Sequence, residues 1–170
     1  MPAHQPTLHL LCGKIAAGKS TLARRLAAGP AAVLIAEDEW LPRLYPGGIG
    51  SLDDYVRCSG RLRAVMGPHV VALLRAGVSV VLDFPANTIA SRQWMRGIAE
   101  AADVPRRLYW LDVPDATCKA RLRARNAGGT HPFAPTEADF DLFASYFVPP
   151  SEDDGPVIVV HEGEVPDDRP

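Results

Sequence analysis

The sequence is poor in lysine, with three residues among 170, whereas arginine occurs 15 times. Aspartate and glutamate together number 20, so the formal net charge is −2 at pH 7. This balance gives no overall attraction to nucleic acid or to an anionic membrane surface, because such partners are bound through an excess of positive charge. We therefore expect neither a nucleic-acid partner nor a membrane partner.

Cysteine is also scarce: Cys12, Cys58 and Cys118 are widely spaced and form no C-x-x-C pair. They suggest neither a disulfide framework nor a zinc site, and a reducing cytoplasm is the simplest location. No apolar run approaches the ~18 residues of a membrane span, and the first residues lack the basic and apolar regions of an export signal. The length predicts a single domain over residues 1–170.

One short stretch carries a specific pattern, since residues 13–20 read GKIAAGKS and match G-x-x-x-x-G-K-[ST]. A chain of this composition produces such a match by chance roughly 0.0015 times. Glycines let backbone N–H groups turn toward phosphate oxygens, and the following helix directs its positive end at them. The predicted nucleotide-binding residues in this loop are Gly13, Ala16, Ala17, Gly18, Lys19, Ser20 and Thr21.

Apolar runs alternate with helical patterns along the rest of the chain. The runs predict five strands, at 7–12, 31–36, 78–83, 106–112 and 156–161, and helices are predicted at 19–28, 51–76, 88–102, 114–126 and 136–147. The alternation predicts an α/β fold with a parallel sheet covered by helices on both faces. Residues 41–50 are predicted to form a loop, and Gly67-Pro68 predicts a kink or break in the long helix.

Carboxylates follow the second and third predicted strands, where open α/β sheets bind ligands. Asp83 closes the third strand, which is the usual position of a magnesium-site acid downstream of a phosphate loop, so Asp83 and Ser20 are the predicted Mg²⁺ ligands. Asp38 is predicted to accept the proton of the phosphoryl acceptor. Its neighbours Glu37 and Glu39 are alternatives for that role, and a purely structural role of Asp38 in helix capping stays open.

Two arginines of the last long helical pattern lie one turn apart, since Arg121 and Arg125 have i, i+4 spacing, whereas Arg123 points elsewhere. We predict that Arg121 and Arg125 bind the triphosphate and stabilise the transferring phosphoryl group, although an exposed, solvated face is the alternative. The glycine-bearing segment that follows, about residues 126–136, is a candidate lid. The acidic tail, residues 162–170, is predicted to fray.

Four segments together resemble a family of small P-loop kinases: GKIAAGKST, LIAEDEW, VVLDFPANT and LYWLDVPDATCKARLRARN. This family includes chloramphenicol phosphotransferase, zeta toxins, gluconate kinase and the polynucleotide 5′-hydroxyl kinase domain, and the resemblance covers about residues 8–161. It implies a sheet of order 2-3-1-4-5, ATP as the phosphoryl donor and a mobile lid. Asp38 matches the family's catalytic acid, and Arg121 and Arg125 match arginines of its lid helix.

The sequence departs from this family at two points. The family's Asp-x-x-Arg pattern is missing, because Leu41 stands three residues after Asp38. Asn87 lies four residues beyond Asp83, which is further than the Asp-x-Asn spacing of some relatives. Acceptor recognition is therefore the part that transfers least, and the segment expected to choose the acceptor is residues 37–63.

The combined prediction is an ATP- and Mg²⁺-dependent kinase that phosphorylates a hydroxyl of a small molecule, such as an antibiotic, a sugar or a related metabolite. Its predicted catalytic residues are Asp38, Lys19, Arg125 and Arg121. A polynucleotide or nucleotide-sugar kinase is one alternative, and a non-catalytic ATP-binding regulatory module is another. No N-K-x-D guanine motif occurs, which disfavours a GTP switch. The sequence decides neither the acceptor nor the oligomeric state.

Overall fold

The structure is a computed structural model that describes residues 5–129 and 134–164. The strands are β1 (Leu8–Cys12), β2 (Ala32–Ala36), β3 (Ser79–Pro85), β4 (Arg106–Asp112) and β5 (Val157–His161). The helices are α1 (Lys19–Leu26), α2 (Glu37–Leu44), α3 (Leu52–Arg75), α4 (Ile89–Ala102), α5 (Asp115–Ala127) and α6 (Glu137–Ser145), and a short 3₁₀ helix spans Glu152–Asp154.

All five strands form one sheet of order β2-β3-β1-β4-β5, and every neighbouring pair is parallel. The predicted α/β fold, the strand count and the strand order are therefore confirmed. The register between β1 and β3 is irregular at one point: Leu10 pairs with Leu82, whereas Leu11 pairs with Pro85. The irregularity falls beside Asp83, and such bulges commonly reorient side chains near binding sites.

The sheet separates two hydrophobic cores, because successive side chains of a strand point to opposite faces. Leu10 belongs to the core under α3 and α4, which also contains Met66 and Met95. Leu11 belongs to the core on the other face, where Leu22 and Leu122 contribute from α1 and α5. Both faces of β1 are thus fully covered, which explains why this strand is a continuous apolar run rather than an alternating one.

Two predictions for the segment between β2 and β3 are wrong in part, namely the full extent of the loop and the possible break of the long helix. Helix α2 spans Glu37–Leu44, so residues 41–44 of the predicted loop are helical, although Pro42 lies among them. Three acidic residues in its first turn interact favourably with the positive helix end, and the proline removes only one hydrogen bond from a short helix. Helix α3 continues without a break past Pro68, because its apolar side is buried along most of its length.

Side-chain caps determine where three helices begin. Ser51, Thr88 and Thr136 each accept a hydrogen bond from the backbone N–H three residues later. The caps of α3 and α4 confirm two boundaries that the sequence predicts.

The three cysteines are free and buried. Burial raises the pKa of the Cys12 thiol to about 12, so this thiol stays neutral.

A buried arginine attaches the chain before β5 to the rest of the molecule. Arg92, which is 5% exposed, forms an ion pair with Asp154 at 2.8 Å. Its guanidinium also donates to the carbonyl oxygens of Ala86 and Val148, at 3.0 and 2.9 Å.

No helix within the described part of the chain is long and apolar enough to cross a membrane.

Candidate active site

A large cleft opens at the carboxyl ends of the strands, which is where parallel sheets with helices on both faces bind ligands. Its volume is about 1370 Å³, and α1, α2, α5 and α6 contribute to its walls. The predicted site residues that line it are Ala16, Ala17, Gly18, Lys19, Ser20, Thr21, Asp38, Asp83, Arg121 and Arg125. Gly13 is buried at the base of the loop and does not line the cleft.

The loop between β1 and α1 turns sharply because two of its residues have left-handed backbone conformations. Gly18 has φ 105° at the N-cap of α1, and Ala16 has φ 60°. Gly13 is favoured for a different reason, since a Cβ atom there would lie 3.2 Å from the carbonyl oxygen of Leu111, which is a tight contact. The loop thus packs against β4 at its start and ends at the first N–H groups of α1, which lack intrahelical partners.

Lys19 is held within the loop rather than extended into solvent. Its Nζ donates to the carbonyl oxygens of Gly13 and Lys14, at 2.6 and 2.8 Å. Burial lowers the pKa of Lys19, while the nearby carboxylates of Asp83 and Asp38 act in the opposite direction. The ammonium of Lys19 is therefore a localised positive charge on which both predicted acids act.

Asn87 braces the first peptide of this loop, although the sequence assigns it no role. The backbone N–H of Gly13 donates to Oδ1 of Asn87 at 2.9 Å, and Nδ2 donates to the Gly13 carbonyl oxygen at 2.9 Å. That carbonyl oxygen also accepts from Lys19. The available sequence signal is its position two residues after β3, the strand adjacent to β1 in the sheet.

Ser20 and Asp83 face each other across the edge of the sheet. Burial raises the pKa of Asp83, and a hydrogen bond from the Ser20 side chain together with the charge of Lys19 opposes that effect. Hydroxyl and carboxylate oxygens are donors that suit Mg²⁺, which usually takes one or two protein ligands along with substrate phosphates and waters. Consistently, no cluster of three acidic, histidine or cysteine side chains occurs among the described residues. The donors present thus fit a nucleotide-bound magnesium ion.

The three acids that begin α2 have different environments. Glu37 is 1% exposed and does not line the cleft, whereas Asp38 and Glu39 are exposed and do. Oε2 of Glu39 lies 3.8 Å from Nη1 of Arg43, one helical turn later. Asp38 is the member of the set whose charge acts on both Lys19 and Asp83. Asp38 is thus the acid of this set that combines a place in the cleft lining with a charge acting on Lys19 and Asp83.

Glu37 forms a buried cluster with two residues of α3. The hydroxyl of Tyr55 donates to Oε2 of Glu37 at 2.7 Å, and Nε of Arg63 lies 3.9 Å from Oε1. Burial raises the pKa of Glu37, and the Tyr55 hydrogen bond and the Arg63 charge oppose this effect. Burial also raises the pKa of Tyr55, so its hydroxyl stays protonated and acts as the donor. Sequence reasoning missed this cluster, because its members come from separate elements.

The arginines of α5 are placed as their spacing predicts. Arg121 donates to the carbonyl oxygen of Ala17 at 3.3 Å and to Glu162 at 3.4 Å, so it lies above the phosphate loop. Arg125 lines the cleft, and its buried Nε has no partner among the described residues. Arg123 instead pairs with Glu137 of α6. Two guanidinium groups thus face the cleft from the same helix.

The candidate lid is described only in part, because residues 130–133 of the segment 126–136 lie outside the described residues, as do residues 165–170 of the acidic tail. At the described ends of the lid, Nδ2 of Asn126 donates to the carbonyl oxygen of Pro135 at 2.8 Å. The two ends are therefore held together between α5 and α6.

The segment predicted to choose the acceptor supplies one wall of the cleft. Its apolar and aromatic lining residues are Leu41, Pro42, Tyr45, Ile49, Leu52 and Tyr55, and α6 adds Leu142 and Phe143. The rings of Tyr55 and Phe143 meet edge to face with their centroids 5.9 Å apart. Arg24, Arg25 and Arg43 also border the cleft. Trp40 is 38% exposed and is not among the lining residues.

Comparisons with known proteins agree with this architecture. The family model for an AAA domain matches residues 8–150. The structure is similar to a candidate kinase from Chloroflexus aurantiacus, with 21% identity, a TM-score of 0.75, and coverage of 92% of this chain and 88% of the other. No curated protein matches the sequence.

Two further structures show how widely this fold is used. A gluconokinase from Sinorhizobium meliloti is 14% identical, with a TM-score of 0.63 and coverage of 95% and 85%. The APS kinase CysC of Mycobacterium tuberculosis, solved with AMPPNP and APS, is 20% identical, with a TM-score of 0.62 and coverage of 95% and 91%. The fold of small P-loop kinases is thereby confirmed, whereas the acceptor differs among proteins that share it.

Proposed function

This chain belongs to the AAA domain family, and on that premise we propose that it is an ATP- and Mg²⁺-dependent kinase acting on a hydroxyl group of a small molecule. One observation carries the proposal: Lys19, the Ser20–Asp83 pair and Asp38 line a single cleft at the carboxyl ends of three adjacent strands. Phosphoryl transfer requires a held triphosphate, a positioned metal and a group that orients the acceptor.

The donor side of the reaction is assigned to the phosphate loop and α5. The N–H groups at the start of α1 and the ammonium of Lys19 bind the phosphates, while Arg121 and Arg125 contribute from α5. Ser20 and Asp83 are the residues that would hold Mg²⁺, which when bound neutralises charge on the β- and γ-phosphates. The proximity of Arg121 to the Ala17 carbonyl supports this arrangement.

Asp38 is assigned as the acceptor of the substrate's proton. As the acceptor oxygen bonds to the γ-phosphorus, the bond between that phosphorus and the bridging oxygen breaks, and its electron pair leaves with ADP. The hydroxyl proton passes to Asp38, so the products are ADP, a phosphate monoester and one proton. Arg125 and Arg121 stabilise the charge on the moving phosphoryl group.

The test is transfer from γ-labelled ATP to a panel of acceptors: chloramphenicol analogues, aminoglycosides, sugars, nucleosides and RNA with a 5′-hydroxyl end. Label on a small alcohol is the expected result. Label on RNA alone would replace the proposal with a polynucleotide kinase. If ATP binds and no acceptor is labelled, a non-catalytic ATP-binding module becomes the better account.

We predict that Asp38→Asn lowers transfer by about 10²- to 10⁴-fold, because general-base catalysis contributes on that order. Nucleotide affinity should change less than twofold, roughly, because the loop and α5 are untouched. Titration with a fluorescent ATP analogue, together with initial rates on the acceptor found in the panel, measures both quantities. Unchanged transfer would exclude Asp38 as the base.

A further inference from the structure

The cluster of Glu37, Tyr55 and Arg63 begins at the residue next to Asp38. The proposed reaction gives this cluster no role. Oε1 of Glu37 and Nε of Arg63 are both buried and face each other at 3.9 Å, beyond hydrogen-bond distance. Neither atom has a hydrogen-bond partner among the residues that the structure describes. Buried polar groups of native proteins are usually paired, so this arrangement requires an explanation.

Helix formation and packing do not supply that explanation. A carboxylate in the first turn stabilises a helix from an exposed position, as Asp38 and Glu39 already do for α2. An apolar side chain at position 37 would fill the same space without taking a charge out of water. The chemistry of Glu37 therefore points to a role for its contacts rather than for its volume.

These contacts connect the start of α2 to two other helices. Tyr55 reaches Glu37 with its hydroxyl, and its ring lines the cleft. Arg63 extends in the other direction, where Nη1 donates to Oγ of Ser91 in α4 at 3.0 Å and the guanidinium lies 5.4 Å from the Trp94 ring centroid. The first turn of α2 is thus tied to α3 and, through Arg63, to α4.

We propose that Glu37 is a positioning residue, which fixes the first turn of α2 through Tyr55 and Arg63 and thereby holds Asp38 toward the acceptor hydroxyl. This inference rests on the proposed function, because it acts through the base assigned there. Asp38 is the next residue along the chain, so any rotation of that turn displaces its carboxylate. A displacement of about 1 Å at a reacting group can lower the rate by about a hundredfold.

The first experiment compares Glu37→Gln and Tyr55→Phe with Asp53→Asn, an acid-to-amide change in the exposed first turn of α3. Turnover is measured as release of labelled phosphate from γ-labelled ATP over hours, with water as the acceptor. We expect Glu37→Gln to lower kcat by about ten- to a hundredfold. The affinity for a fluorescent ATP analogue should stay within about twofold, and Asp53→Asn should change neither quantity.

The decisive comparison is a double-mutant cycle with Asp38→Asn. If Glu37 acts through Asp38, Glu37→Gln lowers kcat in the wild-type background and has no further effect when Asp38 is already replaced. A purely structural role would lower kcat by the same factor in both backgrounds, and that outcome would overturn the proposal.

A readout without turnover covers variants that are too slow to assay. Hydrogen exchange of the backbone amides of α2 should accelerate in Glu37→Gln and Tyr55→Phe, while the amides of α1 keep their rates. Unchanged exchange in α2 would contradict the proposed anchoring. If Asp38→Asn itself leaves turnover intact, the assignment of Asp38 as the base fails and the positioning role falls with it, whereas a loss with Asp38→Asn and none with Glu37→Gln refutes only the positioning role. Failure of the proposed function is a separate result, in which the wild type transfers label to no acceptor.

Discussion

Among single residues, Lys19 shows how a local motif and its tertiary setting contribute separately. The motif predicts a lysine beside the phosphates, and in the structure Lys19 lines the cleft. The structure adds the two carbonyl oxygens that hold its ammonium group. It also shows that Asn87 secures one of those carbonyls, a contact between residues 74 positions apart that no local pattern reveals.

Lys19→Ala should weaken ATP binding and turnover together, because it removes a full charge that acts on the phosphates in both the ground state and the transition state. We expect an affinity loss of at least about tenfold, consistent with a charged hydrogen bond worth about 1.5–3 kcal/mol. Lys119→Ala is the matched control, since Lys119 pairs with Asp141 outside the cleft. Equal affinities of the two variants for a fluorescent ATP analogue would refute the loop assignment.

Glu37 makes stability depend on pH in a definite direction. Burial raises its pKa above the ordinary value of 4.5, so the folded state retains the proton to higher pH than the unfolded state. The wild type should therefore lose stability relative to Glu37→Gln as the pH rises above about 4.5, through the raised folded pKa. Urea unfolding of both proteins at pH 5 and pH 8 measures their free energies of unfolding. The prediction would be contradicted if the wild type, relative to Glu37→Gln, were as stable at pH 8 as at pH 5, or more stable.

The burial of Glu37 lay beyond sequence reasoning for a clear physical reason. Three consecutive acids start α2, and their local patterns do not distinguish which one points inward. That choice is made by Tyr55 and Arg63, which lie 18 and 26 positions further along the chain. In contrast, Asp83 was predictable, because a strand fixes the position of the residue near its end.

On the scale of helices, α5 was predicted together with the side that lines the cleft, whereas α2 was missed. The i, i+4 arginines of α5 define one side of a regular helix, and this spacing is visible in the sequence. Pro42 and the glycines after residue 46 made the α2 region resemble a loop. Packing of Leu41 into the core, where it is 4% exposed, outweighs this weak local preference.

The two faces of α5 offer a direct comparison. Arg125→Ala should reduce turnover by about 10²-fold or more and affect ATP affinity less, because charge on the moving phosphoryl group matters most in the transition state. Arg123→Ala removes an arginine two positions earlier that pairs with Glu137 away from the cleft, so its kinetics should match the wild type. Steady-state rates and nucleotide titrations of both variants test this. An equal loss of affinity and turnover would reduce Arg125 to a binding contact.

On the scale of the whole molecule, the alternation of strands and helices predicted the parallel sheet, and the resemblance to small P-loop kinases supplied its order. Both are confirmed. The sequence could not show that the chain before β5 is attached to helix α4. That attachment depends on Arg92, whose partners Asp154 and Val148 lie more than 50 positions away.

Arg92→Met should destabilise the fold by about 3–5 kcal/mol, because it leaves the half-buried carboxylate of Asp154 and two carbonyl oxygens without their donor. Arg96→Met is the control, because Arg96 contacts the Asp153 carbonyl from an exposed position. This substitution should lower the free energy of unfolding by about 1 kcal/mol. Urea denaturation followed by circular dichroism measures both. Similar midpoints for the two variants would contradict the role given to Arg92.

The tethered ammonium of Lys19 has a geometric consequence for ligand choice. An ordinary lysine is a freely rotating donor with three equivalent protons. Here two of the three are directed at the carbonyl oxygens of Gly13 and Lys14, so the direction of the remaining N–H bond is fixed. In the proposed phosphate site, Lys19 would therefore select a ligand oxygen by its position as well as by its charge. An arginine at this position would keep the positive charge. Its planar guanidinium could not donate to the two carbonyl oxygens and also direct a third N–H bond along the same line.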